Sequence, residues 1–287
     1  MRPEYNLHLS GILQIAIKEL HQANIPNSEF EAEMILAHLL KIPKNELHFS
    51  NILINNTIRT EFLSLIDKRK KHYPLQYILE EWEFWSLPLR IPEGVFIPRP
   101  ETETLIEVAL ELKENNINTI IDLGTGSGNI AIALAKEYSQ IQVFASDISM
   151  KALNATRYNA QLNNAQSRIH CIQSDFLSAF NPDVWESPLL IVSNPPYIGL
   201  HELHLLQDEI KCYEPTASYL ADEGGMECYH RIFCQLDSWH SSPLYLLFEI
   251  APKLFNRLIN ISKQHGFTIQ SQRNDLNGQL RALLFKR

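Results

Sequence analysis

The stretch IVSNPPYIG, residues 191–199, ends an apolar run with one amide, two prolines and one aromatic ring. Two prolines remove two backbone donors and stop any strand or helix. What they leave is a rigid corner that holds the Asn194 side chain, the Pro195 carbonyl and the Tyr197 ring in fixed relation. That set suits a flat nitrogen group. An amide or aryl amine delocalises its lone pair and is a poor nucleophile, so a site helps it by accepting hydrogen bonds from both N–H groups. The Asn194 oxygen and the Pro195 carbonyl can do this while Tyr197 lies against the planar face. Pro195 and Pro196 set the geometry in advance, which lowers the entropic part of the barrier. No strong general base is required.

A second cluster is the loop in IDLGTGSGNIAIALA, where Gly124, Gly126 and Gly128 alternate with Thr125 and Ser127. The chain has 10 glycines in all, so three in five positions between a strand pattern and a helix pattern mark a close backbone approach to a ligand. The dinucleotide fingerprint needs a further glycine where this chain has Asn129, so the loop is GxGxG and by itself names no ligand. Asp147 ends the next apolar run and Asp175 with Phe176 ends the one after it. A carboxylate at Asp147 can receive ribose hydroxyls, one at Asp175 can accept from an exocyclic adenine amine, and Phe176 can stack on the base. Together they describe a nucleoside crevice at the carboxyl ends of successive strands, with the Asn194 corner at the end of the fourth.

The elements that must position these residues fall into two patterns. In the first 73 residues, Leu9, Leu13, Ile17 and Leu20 repeat at helical spacing up to Pro26. Ser28 and Glu31 have capping-box spacing ahead of the apolar face Phe30, Met34, Ile35 and Leu39. A third helix is expected from about Ile58 to His72, its basic end Lys68–Lys71 open to two readings, a solvated helix terminus or a binding patch. EWEFWSLPLRI (81–91) reads as a hairpin connecting two domains. From about residue 116, strands are expected at 119–124, 143–147, 169–173, 189–194 and 244–250. Helices intervene at about 129–138, 150–163 and 252–265, and a strand pair closes the chain. This alternation implies an α/β fold with a mostly parallel sheet covered by helices on both faces.

Composition bounds the function. With 45% hydrophobic residues and a formal charge of −8, the chain suits a soluble globular protein without a tight, sequence-independent grip on nucleic acid. The four cysteines form no CxxC pair and are expected as free buried thiols in a cytoplasmic protein. The start carries Glu4 and lacks a continuous apolar run, which argues against a secretory signal, and no membrane partner is expected. HELH (201–204) lacks the HExxH spacing of a zinc-binding helix, so no metal is expected. It falls in a segment, roughly 198–226, suited to covering a substrate.

GTGSG with a downstream NPPY resembles a class I S-adenosylmethionine-dependent methyltransferase acting on a planar nitrogen. The motif alone leaves a glutamine amide and the N6 of adenine both open. VFIPRPETETLIE (95–107), PLQYILEEWEFWSLPL (74–89), YEP (213–215), GGMECY (224–229) and NDLNGQLRALL (274–284) are similar to the release-factor glutamine methyltransferases, the PrmC/HemK family. That resemblance spans essentially the whole chain. With the patterns above it gives a small N-terminal helical-bundle domain (1–73), expected from its placement to dock substrate, a β-hairpin linker (74–93) and a Rossmann-like methyltransferase domain (94–287). It implies methyl transfer from S-adenosyl-L-methionine, leaving S-adenosyl-L-homocysteine, to the side-chain amide nitrogen of the glutamine in the GGQ motif of peptide-chain release factors.

Carried onto this chain, Gly124 to Gly128, Asp147, Asp175, Phe176 and Asn194 hold the cofactor. Asn194, Pro195, Pro196 and Tyr197 hold the glutamine, and Phe96, Arg99 and Glu101 line the site from the preceding loop. A cytoplasmic monomer with no stable nucleic-acid partner is expected. Adenine methylation of DNA or RNA, or non-catalytic nucleoside binding, are the alternatives. One departure is Glu80, where the family usually has glycine; a glutamate resists positive φ, so the hairpin entry is expected to differ.

Overall fold

The computed structural model describes residues 7–48, 53–185, 187–240 and 242–287. They form two compact units, Met1–Glu80 with Asp208–Tyr213, and Glu81–Gln207 with Glu214–Arg287.

The first unit is helical: α1 (Leu9–Gln22), α2 (Ser28–Leu40), α3 (Asn56–Lys70) and the short α4 (Leu75–Leu79). A two-residue pairing of β1 (Leu7–His8) with β2 (Leu53–Ile54) accompanies them. Ile12, Leu13, Ala16, Leu20, Ile35, Leu36, Phe62 and Ile66 make its core. Asn55 caps α3 by accepting from the Ile58 N–H at 2.9 Å. The capping box expected at Ser28 and Glu31 is not formed. Ser28 lies inside α2 and its hydroxyl donates to the Ile25 carbonyl at 2.6 Å, while Glu31 pairs with Arg69. A buried guanidinium needs a carboxylate more than a helix end needs a second cap, and the expected apolar face rotates accordingly, leaving Phe30 exposed. Arg69 is therefore no solvated terminus. At 2% exposure it holds Glu31 on α2 and Glu209 on the later helix α8 (Asp208–Tyr213), the latter at 2.6 Å. Tyr213 of α8 completes the contact, edge-on to Tyr73 and donating to the Lys71 carbonyl at 2.8 Å.

Glu80 ends α4 at φ 54°, ψ 7°. The expected avoidance of positive φ is overturned: the glutamate takes the left-handed conformation that glycine adopts freely, at a cost of about 1 kcal/mol.

The second unit begins with the hairpin β3 (Glu81–Phe84) and β4 (Leu87–Arg90), turning through Trp85 and Ser86 at positive φ. The hairpin is stitched to its unit. Arg90 exchanges backbone bonds with the Asn159 amide at 2.7 and 2.9 Å, Asn163 donates to the Pro88 carbonyl at 2.8 Å, and the Trp85 indole donates to Glu137 at 2.9 Å. Then follow α5 (Glu103–Leu110), β5 (Thr119–Leu123), α6 (Asn129–Glu137), β6 (Gln142–Asp147), α7 (Met150–Leu162), β7 (Ile169–Gln173) and β8 (Leu189–Ser193). After α8, the kinked α9 (Asp222–Gly225), α10 (Glu227–Leu236), β9 (Leu244–Glu249), α11 (Phe255–Gln264), β10 (Thr268–Asn274) and β11 (Leu280–Lys286) complete it.

The sheet runs β10-β11-β9-β8-β5-β6-β7, parallel from β9 to β7, with β11 antiparallel to both β9 and β10. β8 and β9 are buried on every residue, as a parallel strand covered on both faces must be. Tyr229, Ile232 and Phe233 of α10 and Leu258 of α11 pack on Ile121, Leu123 and Ile191, while α5, α6 and α7 also lie against the sheet. Because β5 sits between β6 and β8, the strand order reverses there and opens a crevice at the carboxyl ends of these strands. The four cysteines are free, but Cys212 and Cys234 are exposed, against the expectation of buried thiols. Among the described residues no helix is long and apolar enough to cross a membrane.

Candidate active site

A cavity of about 330 Å³ opens at that crevice. Of the residues singled out by sequence, Gly124, Gly126, Asp147, Asp175, Phe176, Asn194, Pro196 and Phe96 line it. Thr125, Ser127, Gly128, Pro195, Tyr197, Arg99 and Glu101 do not, and each has a different place.

The glycine loop is shaped from beneath by Asp122. One carboxylate oxygen of this fully buried residue accepts from the Thr125 hydroxyl at 2.6 Å and from the Ala131 N–H at 3.2 Å, tying the loop to the start of α6. Burial pushes the Asp122 carboxyl up to about 7, against those two hydrogen bonds. Ser127 is buried, and its carbonyl accepts from Asn159 at 2.9 Å. Gly128, at φ 84°, has no room for a side chain: a Cβ there would sit 2.8 Å from the Thr156 methyl. The loop thus closes tightly against α7, while its outer face at Gly124 stays open.

Asp147 at the end of β6 receives the Gly126 N–H at 2.9 Å and the Ser149 N–H at 2.8 Å. Burial raises its pKa, and the backbone donors oppose that shift. Asp175 has a partner the sequence did not disclose. Arg231 of α10 pairs with it and lies 5.2 Å over the Phe176 ring, so acid and aromatic share one cation at the cavity wall.

On the other side stands the proline corner. Pro195 is buried; Asn194 reaches the cavity and its Nδ2 donates to the Thr102 hydroxyl oxygen at 3.1 Å. Thr102 in turn donates to Glu249 Oε2 at 2.6 Å, and the Tyr197 hydroxyl donates to Glu249 Oε1 at 3.1 Å. Burial pushes both the Tyr197 hydroxyl and the Glu249 carboxyl upward. Gly225, at φ 91°, passes so close to this corner that a Cβ would lie 2.3 Å from the Tyr197 carbonyl oxygen.

Arg99 turns away from the cavity to pair with Glu214 and covers the Phe96 ring at 5.1 Å. Glu101 serves the same loop through its carbonyl, which accepts from Thr104 at 2.7 Å. HELH forms a short 3-10 helix within Leu200–Leu205, in which Glu202 accepts from the Gly199 N–H at 3.0 Å and pairs with Lys253. Farther along that segment, Pro215, Ala217, Ser218 and Leu220 wall the cavity.

Sequence reasoning singled out none of Thr102, Glu214, Arg231 and Glu249. Thr102 and Glu214 lay inside the quoted stretches VFIPRPETETLIE and YEP, and Glu249 is the sole charged residue of the strand run LYLLFEI, while Arg231 carried no signal.

Comparison with known proteins follows these features. Residues 12–79 match the PrmC N-terminal domain and residues 100–227 the Methyltransferase small domain. The chain is 35% identical over 260 residues to the release factor glutamine methyltransferase of Thermodesulfovibrio yellowstonii, covering 90% of this chain and 92% of that one. It is 35% identical over 283 residues to that of Fusobacterium nucleatum, covering 96% and 78%. The hMettl16 catalytic domain in complex with an MAT2A 3'UTR hairpin has a TM-score of 0.55 at 16% identity, over 80% of this chain and 81% of that chain, a likeness of fold alone. With the fold, the crevice and these relatives in agreement, the chain belongs to the release factor glutamine methyltransferase family.

Proposed function

We propose that the cavity holds S-adenosylmethionine and that the Asn194 corner presents to it the side-chain amide nitrogen of the release-factor glutamine, in the GGQ motif. The residues present fit that cofactor. Gly124 and Gly126 leave the backbone open, Asp147 offers carboxylate lone pairs near the loop, and Phe96 and Phe176 supply flat apolar faces. When bound, the cofactor supplies an electrophilic methyl group on a sulfonium.

The chain's own residues do the rest by positioning. The observation that carries the reading is the Asn194 amide: one of its two Nδ2 hydrogens goes to Thr102, which fixes the NH2 side toward Thr102 and leaves the oxygen to accept from a substrate N–H at the cavity. The Pro195 carbonyl is the second acceptor and Tyr197 backs the plane of the amide. Neither draws the proton off beforehand; the methyl–sulfur bond would break as the methyl–nitrogen bond forms, leaving a neutral thioether, and the surplus proton on the nitrogen would then pass to water. Tyr197 is a poor base in this setting, since its phenol keeps its proton and donates a hydrogen bond with it to the buried Glu249 carboxyl.

The reading is tested by incubating the protein with methyl-labelled cofactor and either a release factor or DNA. Label in the release factor, lost when its glutamine is replaced, is expected. Label in DNA alone overturns the reading. Asn194→Ala is expected to keep cofactor binding while methyl transfer falls by about 100-fold or more. We assign the helical unit to docking of the protein substrate; a kcat/KM that is equal for a whole release factor and a short glutamine peptide would speak against this.

A further inference from the structure

Glu249 is the last residue of a buried central strand and is 2% exposed. The partners of its carboxylate are two hydroxyls, Thr102 and Tyr197, with the Arg281 guanidinium and Glu101 acting at longer range. Neither is a counter-ion in contact. Both of its oxygens accept, Oε2 from Thr102 and Oε1 from Tyr197, and this fixes the direction of the bonds beyond it. Thr102 must spend its one proton on Glu249. Its oxygen is then an acceptor, and the side of Asn194 that faces it must be the NH2 side. The Asn194 oxygen is left to face the cavity.

We infer that Glu249 is a positioning residue that acts through Thr102 to orient the Asn194 amide, so that the site favours an NH2 group over one that presents an acceptor. The inference rests on the methyl-transfer reading above and deepens it. It gives the corner a source of specificity outside its own four residues. With the chain reversed, Asn194 would turn its own N–H groups to a substrate that also brings N–H groups, and neither would have a lone pair to meet.

Two substitutions separate this from a merely structural role. Thr102→Ser keeps the hydroxyl and its direction; Thr102→Val keeps the volume and breaks the relay. In Glu249→Gln, the Tyr197 proton claims the amide oxygen, which leaves an NH2 facing Thr102 and reverses the chain. Expected on a release-factor substrate at saturating cofactor is a kcat loss of about 100-fold for Thr102→Val and Glu249→Gln, and no more than a few-fold for Thr102→Ser. Cofactor affinity measured by calorimetry should be unchanged in all three.

The substrate-free readout is the Asn194 side-chain NH2 signal in protein labelled with ¹⁵N-asparagine. It should move in Thr102→Val and Glu249→Gln and stay in Thr102→Ser. An active wild type whose valine and serine variants share one kcat and one Asn194 signal overturns the inference. A wild type inactive on release factor overturns instead the functional reading, and the NMR comparison still decides the orientation.

Discussion

Among the buried charged residues, Arg69 in the helical unit and Glu249 in the sheet unit have the same 2% exposure and are treated differently. Arg69 in the helical unit meets opposite charges, Glu31 and Glu209, whereas Glu249 in the sheet unit meets hydroxyls. An ion pair cancels charge and is indifferent to which group gave a proton to which. A carboxyl group whose two oxygens both accept from hydroxyls dictates the direction of the bonds around it. The first arrangement holds segments together. The second transmits an orientation to a neighbouring side chain.

The contrast breaks most sharply at Arg69. Arg69→Met leaves two carboxylates facing each other without a cation and should cost about 3 to 5 kcal/mol of stability by denaturant titration. The surviving folded protein should keep its kcat on a short glutamine peptide. Glu249→Gln should behave oppositely, with kcat collapsed and stability lowered by no more than about 1.5 kcal/mol.

Asp122, another buried acid, sharpens the comparison through pH. Its carboxyl is raised to about 7 in the folded chain, above the usual 3.8, so the folded state binds its proton more tightly. The stability this confers is full below the unfolded value and is lost as pH rises toward 7, at up to about 1.4 kcal/mol per pH unit. Asp122→Asn keeps an acceptor for Thr125 and Ala131, so its melting temperature should fall less between pH 5 and pH 8 than that of the native chain. The smallest effect is expected at Glu80. Glu80→Gly relieves a left-handed glutamate and should raise stability by up to about 1 kcal/mol, offset in part by the freer unfolded chain.

These sites also mark where the sequence was legible. Five strands and their order of use were readable because buried parallel strands are short apolar runs, and the glycine loop and proline corner stood out because their residue types restrict the backbone so strongly. Asp147 and Asp175, which line the cavity, stood out because one ends a strand and the other closely follows one. What escaped were relations between distant residues. Arg69 sits in a run of four basic residues, and nothing local distinguishes the one that turns inward to Glu31. Ser28 and Glu31 have capping spacing, yet tertiary pairing claimed the glutamate. Thr102 and Arg231 are ordinary on their own helices and gain meaning from partners 147 and 56 positions away. At Glu80 a propensity rule was applied correctly and outweighed by the chain around it.

The closeness of Gly225 to the Tyr197 carbonyl carries a consequence for how such enzymes are found. The motif NPPY is four letters in sequence, but in space it has a fifth, because no other residue can stand at 225 without displacing the tyrosine. A sequence that keeps NPPY and loses that glycine has kept the spelling of the corner and lost its shape. In this chain the corner is spelled by NPPY and Gly225 together.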